Sequence, residues 1–479
     1  MLNPLNWSFL TYYLISECII SMVMLPIVVQ RRQSAAAMAW LMVIFFQPWI
    51  GLAAYLLIGE NRLPLKRIRE HALVAPKIRA LGAMAVQHRH VVYPAVSPEQ
   101  TPLVALAERL GEMPILGGNQ AELLTETDQL IERLIADIDA ARHHVHLMFY
   151  IYADDATGER VAGALARAVK RGVKCRVLAD AVGSRTLFKR LGPQMRQQGI
   201  ELYAMLPVGL LRMWFARIDL RNHRKLAIID GHIAHTGSQN IVNSSYGHRD
   251  LVWHDMMLRG RGPIVLQLQQ VFLEDWYAEA GQMLDDPQLF PTPEIVGEVA
   301  AQTLPSGPNF PTENYQRLVV TALYAAQRHV IITSPYFVPD EALLQALESA
   351  VLRGVKVELI VPKRCDQILV GAAARSYYER LLTLGAVVHL HADGLLHAKT
   401  MTVDDSLALV GSGNFDIRSF YLNFELNMLG YGPEVTATLR FAQRGYIAQS
   451  TPLDLERWLQ RHRLRRLADN CAKLLSPLL

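Results

Sequence analysis

The chain has 479 residues, and 48 Lys and Arg against 44 Asp and Glu leave it a net charge of +4. A hydrophobic share of 51% beside 19% charged residues excludes a disordered chain and predicts two or three domains with large cores. The basic excess is too slight to imply nucleic acid, and four scattered cysteines (Cys18, Cys175, Cys365, Cys471) without a C-x-x-C pair argue against a disulfide framework or a cysteine zinc site.

The first 60 residues are the most apolar. Residues 5–29 carry only Glu17 as a charge, and residues 35–59 carry none. Each stretch is long enough to cross a hydrocarbon core of about 30 Å as a helix. Only Arg31, Arg32, Gln33 and Ser34 separate them, so the pattern predicts a two-helix transmembrane hairpin over residues 1–60. The first stretch lacks a basic n-region and is too long for a signal peptide. A charge at mid-membrane costs about 3 kcal/mol, so Glu17 is expected to face another helix or an oligomer partner. A hairpin returns the chain to its starting side, where Arg62, Lys66, Arg67 and Arg69 outnumber the two arginines of the turn. That bias predicts a cytoplasmic catalytic part after a juxtamembrane segment over 61–115.

The remainder is a weak repeat. A helical pattern ending at Arg142 leads into the apolar run 144–151, and a similar one ending at Arg328 leads into 329–336. Each copy continues with an Ala-rich helix closing in Lys-Arg-Gly-Val-Lys (170–174) or Leu-Arg-Gly-Val-Lys (352–356), then a β-branched strand (175–179 or 357–361). Strand, helix, strand at this spacing predicts an α/β fold of two similar lobes, 116–290 and 291–479, with mostly parallel sheets. A Pro-rich stretch over 286–311 separates them.

Each lobe carries one signature at a matching place. His223, Lys225 and Asp230 precede Gly237-Ser238-Gln239-Asn240, and His397, Lys399 and Asp404 precede Gly411-Ser412-Gly413-Asn414. Both read H-x-K-x4-D-x6-G-S-x-N. On an extended chain, His and Lys two positions apart share a face and can address one ligand. Ser238, Asn240, Ser412 and Asn414 add neutral donors for phosphate oxygens or support for the strands. Two lobes around one anion then stabilise a phosphoryl transition state without a metal or cofactor. One histidine attacks phosphorus while the other protonates the leaving oxygen. A merely structural histidine pair leaves the recurrence of Lys, Asp, Ser and Asn unexplained.

These motifs resemble the phospholipase D superfamily, whose mark is the duplicated H-x-K-D signature, from about Leu123 to the end of the chain. Ser334-Pro335-Tyr336-Phe337-Val338-Pro339, Asp393-Gly394-Leu395-Leu396-His397 and Ser476-Pro477-Leu478-Leu479 make the chain similar, more narrowly, to the bacterial cardiolipin synthases, which add an N-terminal two-helix anchor. The resemblance implies an inner-membrane enzyme that moves a phosphatidyl group from one phosphatidylglycerol to another through a phosphatidyl-histidine, releasing glycerol. It implies anionic lipid and the bilayer as partners, His223 as nucleophile and His397 as acid/base. Lys225 and Lys399 would bind the phosphate, whereas Asp230 and Asp404 match motif aspartates that more often support the strand. A membrane-anchored phospholipase D, or a phosphatidyltransferase with another acceptor, shares these motifs.

One acidic residue per lobe is expected to orient a histidine. Asp255 and Glu425 each lie eight positions before a Gly-Pro helix start, which favours them over Asp250. The first lobe also carries an insertion with Leu210, Leu211, Arg212, Met213, Trp214, Phe215 and Arg217, suited to a membrane-facing mouth or to packing on its own lobe. The tail over 454–475 mixes Arg457, Arg461, Arg463, Arg465 and Arg466 with Trp458, Leu459, Leu464 and Leu467. It suits either a basic helix on anionic lipid or a surface helix capping the second lobe. His144 with His146, His88 with His90 and His389 with His391 lack the further ligands of a metal site.

Overall fold

The structure is a computed structural model that describes residues 9–32, 34–60, 63, 65–86, 92–208, 217, 219–247 and 251–476. Arg62, His88, His90, Trp214, Phe215, Asp250 and the final Pro477-Leu478-Leu479 lie outside the described residues. The chain folds as two compact units, Met1–Ile68 with Val208–Leu220 and Arg69–Pro207 with Arg221–Leu479.

In the first unit, helix Phe9–Arg31 is long and apolar enough to cross a membrane. It is the sole such helix among the described residues, beside the shorter apolar helices Ala36–Phe46 and Pro48–Gly59. Residues 35–59 do not form one helix: Ser34–Phe46 ends at Gln47, and Pro48–Ala54 with a wide turn Tyr55–Gly59 runs back. A residue before proline is pushed out of the helical region, and Gln47 has φ −143° and ψ 83°. Glycine lets the two limbs approach, because a Cβ on Gly51 would meet Ile44 Cα at 2.6 Å. The fold-back brings Glu60 to Arg31 at 3.0 Å and Trp49 Nε1 to the mid-helix Ser16 hydroxyl at 3.1 Å. Ile20, Met24, Val28, Ala37, Ile44 and Tyr55 form the core of this unit. Glu17 is half-buried on the long helix.

In the second unit, fifteen strands form one sheet. Its first half runs inward from Glu201–Met205 through Lys174–Asp180, His144–Phe149, Leu226–Ile229, Ile233–Gly237 and Met257–Arg261 to Leu116–Leu124. The second half repeats that order outward from Val299–Ser306 through Glu425–Tyr431, Leu407–Gly411, Thr400–Val403, His329–Thr333 and Lys356–Pro362 to Val387–His391, with Ser450–Pro452 at the edge. The repeat read in the sequence is thus a symmetric pair joined along Leu116–Leu124 and Val299–Ser306.

The expectation of mostly parallel sheets is corrected. Among the described strands of the fifteen-stranded sheet, only the pairs flanking His144–Phe149, Lys174–Asp180, His329–Thr333 and Lys356–Pro362 on their outer sides are parallel. The other neighbours are antiparallel, because the motif strands arrive as hairpins instead of helical crossovers. Asp230 (φ 53°) and Asp404 (φ 48°) turn those hairpins in the left-handed conformation, which Asp tolerates.

Matching helices cover the sheet. Asp155 caps Ala156–Lys170 by accepting from Gly158 N at 2.9 Å, and Asp340 caps Glu341–Leu352 by accepting from Leu343 N at 2.9 Å. Gly172 (φ 89°) and Gly354 (φ 86°) stop them. Alternate residues of His144–Phe149 enter different cores: Val145, Leu147 and Phe149 pack with Val161 and Leu165, whereas Met148 packs with Val265, Leu268 and Phe272.

Candidate active site

His223 and His397 sit just before the strands Leu226–Ile229 and Thr400–Val403, not within them. Each segment is tied to the opposite half of the sheet. His223 N donates to Phe424 O at 2.9 Å, and Phe424 N donates to Arg221 O at 2.9 Å. Symmetrically, His397 N donates to His254 O at 2.8 Å while Leu395–Leu396 pairs with Trp253–His254.

These ties deliver the carboxylates crosswise. Glu425, from the second lobe, lies with both carboxylate oxygens 3.1 Å from Nδ1 of His223. Asp255, from the first lobe, lies 2.6 Å from Nδ1 of His397. All four side chains are buried. Nδ1 is occupied in each ring, so Nε2 is the nitrogen left for substrate.

The motif serines serve the carboxylates, not the cavity. Ser238 Oγ donates to Asp255 at 2.6 Å, and Ser412 Oγ donates to Glu425 at 2.5 Å. Ser419 Oγ and Asn423 Nδ2 donate to the other oxygen of Glu425 at 2.9 and 3.3 Å. Asn240 and Asn414 both line the cavity, and Asn240 Oδ1 also accepts from Ile151 N at 3.0 Å.

The motif aspartates stay outside the cavity. Asp230 accepts from the backbone N–H of Arg142, His143 and His144 at 2.7–2.9 Å. Asp404 accepts likewise from Gln327, Arg328 and His329 at 2.8–2.9 Å. They lock each motif hairpin to the neighbouring strand start. Lys225 and Lys399 are fully buried and do not line the cavity; each Nζ donates to the carbonyl of its own motif histidine at 2.6 Å.

His223 and His397 open onto one cavity of about 530 Å³. Sequence reasoning missed much of its lining: Tyr150, Arg221, Tyr246, Trp253, Asp366, Asp416 and Arg418. Tyr150 packs against the His223 ring with centroids 4.9 Å apart, and Trp253 against His397 at 4.4 Å. Tyr150 and Tyr336 lie just beyond repeated strands, Trp253 and Asp416 in two-residue strands, Arg418 in the short helix Ile417–Tyr421, and Arg221, Tyr246 and Asp366 in connections, none of them within the H-x-K-x4-D-x6-G-S-x-N signature.

Burial dominates the electrostatics. It pushes His223 down to about 4 and His397 to about 3, with Lys399 reinforcing the shift at His397, so both imidazoles are neutral at rest. Burial also lowers Lys399 to about 8 and Lys225 well below the usual lysine range. Asp255 stays ionised, near 2: burial opposes this, but His397, Lys399 and Ser238 outweigh it. Glu425 is likewise held low against burial by His223, Lys225 and Ser412. Asp416, in the cavity wall, is raised by burial to about 6.

Two neutral imidazoles, each anchored to a buried carboxylate and sharing one cavity, form a two-histidine site of the kind that phosphodiester-transferring enzymes need. The family model described as "Cardiolipin synthase, PLD-like domain" matches residues 134–276 and 319–442, and one described as "Phospholipase D-nuclease N-terminal" matches 18–60. Cardiolipin synthase A of Yersinia pseudotuberculosis serotype IB (strain PB1/+) is 38% identical over 469 residues, covering 96% of each chain. Cardiolipin synthase A of Klebsiella pneumoniae (strain 342) is 37% identical over 486 residues, covering 99% of this chain and 98% of its own. The fold is similar to that of phosphatidylserine synthase from Haemophilus influenzae Rd KW20, with a TM-score of 0.60 at 16% identity over 79% of this chain and all of the other. The chain belongs to the family of PLD-like cardiolipin synthases.

Proposed function

We propose that this chain makes cardiolipin from two molecules of phosphatidylglycerol in a bacterial inner membrane, with lobes 116–290 and 291–479 each supplying half of the site. His223 Nε2 attacks the phosphorus of the first phosphatidylglycerol. The bond to the glycerol oxygen breaks, and glycerol leaves with a proton from His397. The terminal hydroxyl of a second phosphatidylglycerol then attacks the phosphatidyl-histidine, its proton returns to His397, and the P–N bond breaks to give cardiolipin.

The carrying observation is the crossed pairing of Glu425 with His223 and Asp255 with His397 on one cavity. The carboxylates fix each ring's tautomer and favour its charged form once the anionic phosphodiester arrives. The negative charge of that anion beside His397 raises its proton affinity, so Nε2 takes up a proton from solvent before the acid step. Lys225 and Lys399 supply positive charge from beneath, and Asn240 and Asn414 point hydrogen-bonding groups toward the phosphate oxygens.

For the anchor we infer a single crossing by Phe9–Arg31, with Ser34–Gly59 entering and leaving on the Arg31 side. Arg31, Arg32 and Arg67 then belong to one side, which the positive-inside rule makes cytoplasmic. The reaction is tested with detergent-purified protein, labelled phosphatidylglycerol and EDTA. Cardiolipin and glycerol in equal amounts are expected; phosphatidic acid as the main product would leave a hydrolase instead.

A further inference from the structure

The C-terminal helix Arg463–Leu474 packs on helix Ile368–Leu384 through Asp469 and Ala472, with Asp469 accepting from Arg375 and Arg461 at 3.1 and 2.8 Å. The turn beyond its buried side presents Leu464, Leu467, Cys471 and Leu474, and the three leucines are 68%, 60% and 79% exposed. At about 100° per residue these side chains fill one continuous arc of about 80° with Arg463 on one edge, while Arg466 pairs with Glu379 at 2.7 Å and Lys473 lies over the Tyr377 ring on the packed helix. Across the packed seam, Ile368 and Leu369 are 84% and 53% exposed. Their neighbours on the same turn, Gln367 and Val370, line the active-site cavity. A water-facing apolar arc bordered by the exposed Arg463 and leading to the cavity mouth has the chemistry of a surface that lies in the headgroup layer of an anionic bilayer.

We propose that Leu464, Leu467, Cys471 and Leu474, with Ile368 and Leu369, form a bilayer-docking surface that holds the cavity mouth at the anionic lipid surface. The proposal rests on the reading that the substrate is a membrane phospholipid, and it assigns the tail a role separate from the N-terminal anchor.

The natural Cys471 carries the probe. In full-length Cys18→Ser protein it is the readily labelled thiol, because burial pushes Cys175 and Cys365 up to about 12. In phosphatidylglycerol vesicles, a fluorophore on Cys471 is expected to be quenched by brominated lipid and shielded from iodide. Quenching by iodide alone would overturn the proposal, and so would shielding from both, which would indicate a second copy of the chain on this face. The triple variant Leu464→Ser/Leu467→Ser/Leu474→Ser should turn over vesicle lipid about tenfold more slowly. It should match the parent on water-soluble short-chain phosphatidylglycerol, and equal loss on both substrates would overturn the docking role. If the parent makes no cardiolipin from the short-chain substrate, the functional reading fails while the quenching result still decides the surface.

Discussion

Glu425 lies 3.1 Å from Nδ1 of His223, although 202 positions and the whole inter-lobe connection separate them in the chain. The reciprocal pair, Asp255 and His397 at 2.6 Å, spans 142 positions in the opposite sense. Each lobe therefore aligns the imidazole of its twin, and neither half-site is complete alone.

This crossing makes Asp255 and Glu425 positioning residues. Asp255→Asn and Glu425→Gln keep the shape but allow the wrong tautomer, and each should lower kcat by roughly 100- to 10,000-fold with little change in KM. The pH profile of the residual activity should also move, which a purely structural defect would not cause. An unchanged kcat in either variant would remove the crossed pair from the mechanism.

The two histidines should separate when the leaving group is changed. With a phosphatidyl ester of nitrophenol, departure needs no proton, so His397→Ala should still accumulate a phosphorylated protein on a denaturing alkaline quench, which the P–N bond survives. His223→Ala should accumulate none. Mass spectrometry of the quenched peptides decides, and label retained in His223→Ala would reverse the assignment.

Lys399 predicts an alkaline limit. It is charged below about 8 and neutral above, and burial lowers Lys225 as well. Binding of a phosphate mimic such as tungstate to the resting protein should therefore weaken as pH rises through about 8, as read by calorimetry. Affinity that stays level from about pH 7 to about pH 9 would show that Lys399 contributes no titrating charge.

Asp404 gathers three backbone N–H groups at the start of strand His329–Thr333. Asp404→Ala should cost about 1–3 kcal/mol of stability, whereas Asp404→Asn, which keeps an acceptor and the left-handed turn, should cost less. Thermal unfolding in detergent measures both, and equal effects of the two substitutions would argue against the hydrogen-bonding role.

The anchor geometry is open to thiol labelling. In a Cys18→Ser background, Phe9→Cys and Ile68→Cys should react with an impermeant maleimide from opposite sides of a sealed vesicle. A two-span hairpin requires the same side for both.

Much of the site was legible because the repeat marks its own residues. His223 and His397, and the carboxylates Asp255 and Glu425, occur at equal offsets from shared landmarks. Which carboxylate serves which histidine was not legible, since spacing along the chain says nothing about a contact made across a twofold. The serines were read as phosphate donors because a hydroxyl near a motif histidine suits that role. Only the structure shows that buried carboxylates claim them first. The strand directions are not legible because the βαβ pattern holds for the outer strands alone, while the motif strands turn back through Asp230 and Asp404. The second apolar stretch looked continuous because Pro48 and Gly51 weigh little in a hydropathy count yet redirect the backbone.

The central claim, a covalent phosphatidyl-histidine formed and resolved in one shared cavity, is tested most directly by stereochemistry at phosphorus. Each in-line displacement inverts the centre, so two in succession restore it. Phosphatidylglycerol made chiral with oxygen isotopes should yield cardiolipin with retained configuration. Inverted configuration would mean that the second phosphatidylglycerol attacks the first directly, and His223 would then have no covalent role.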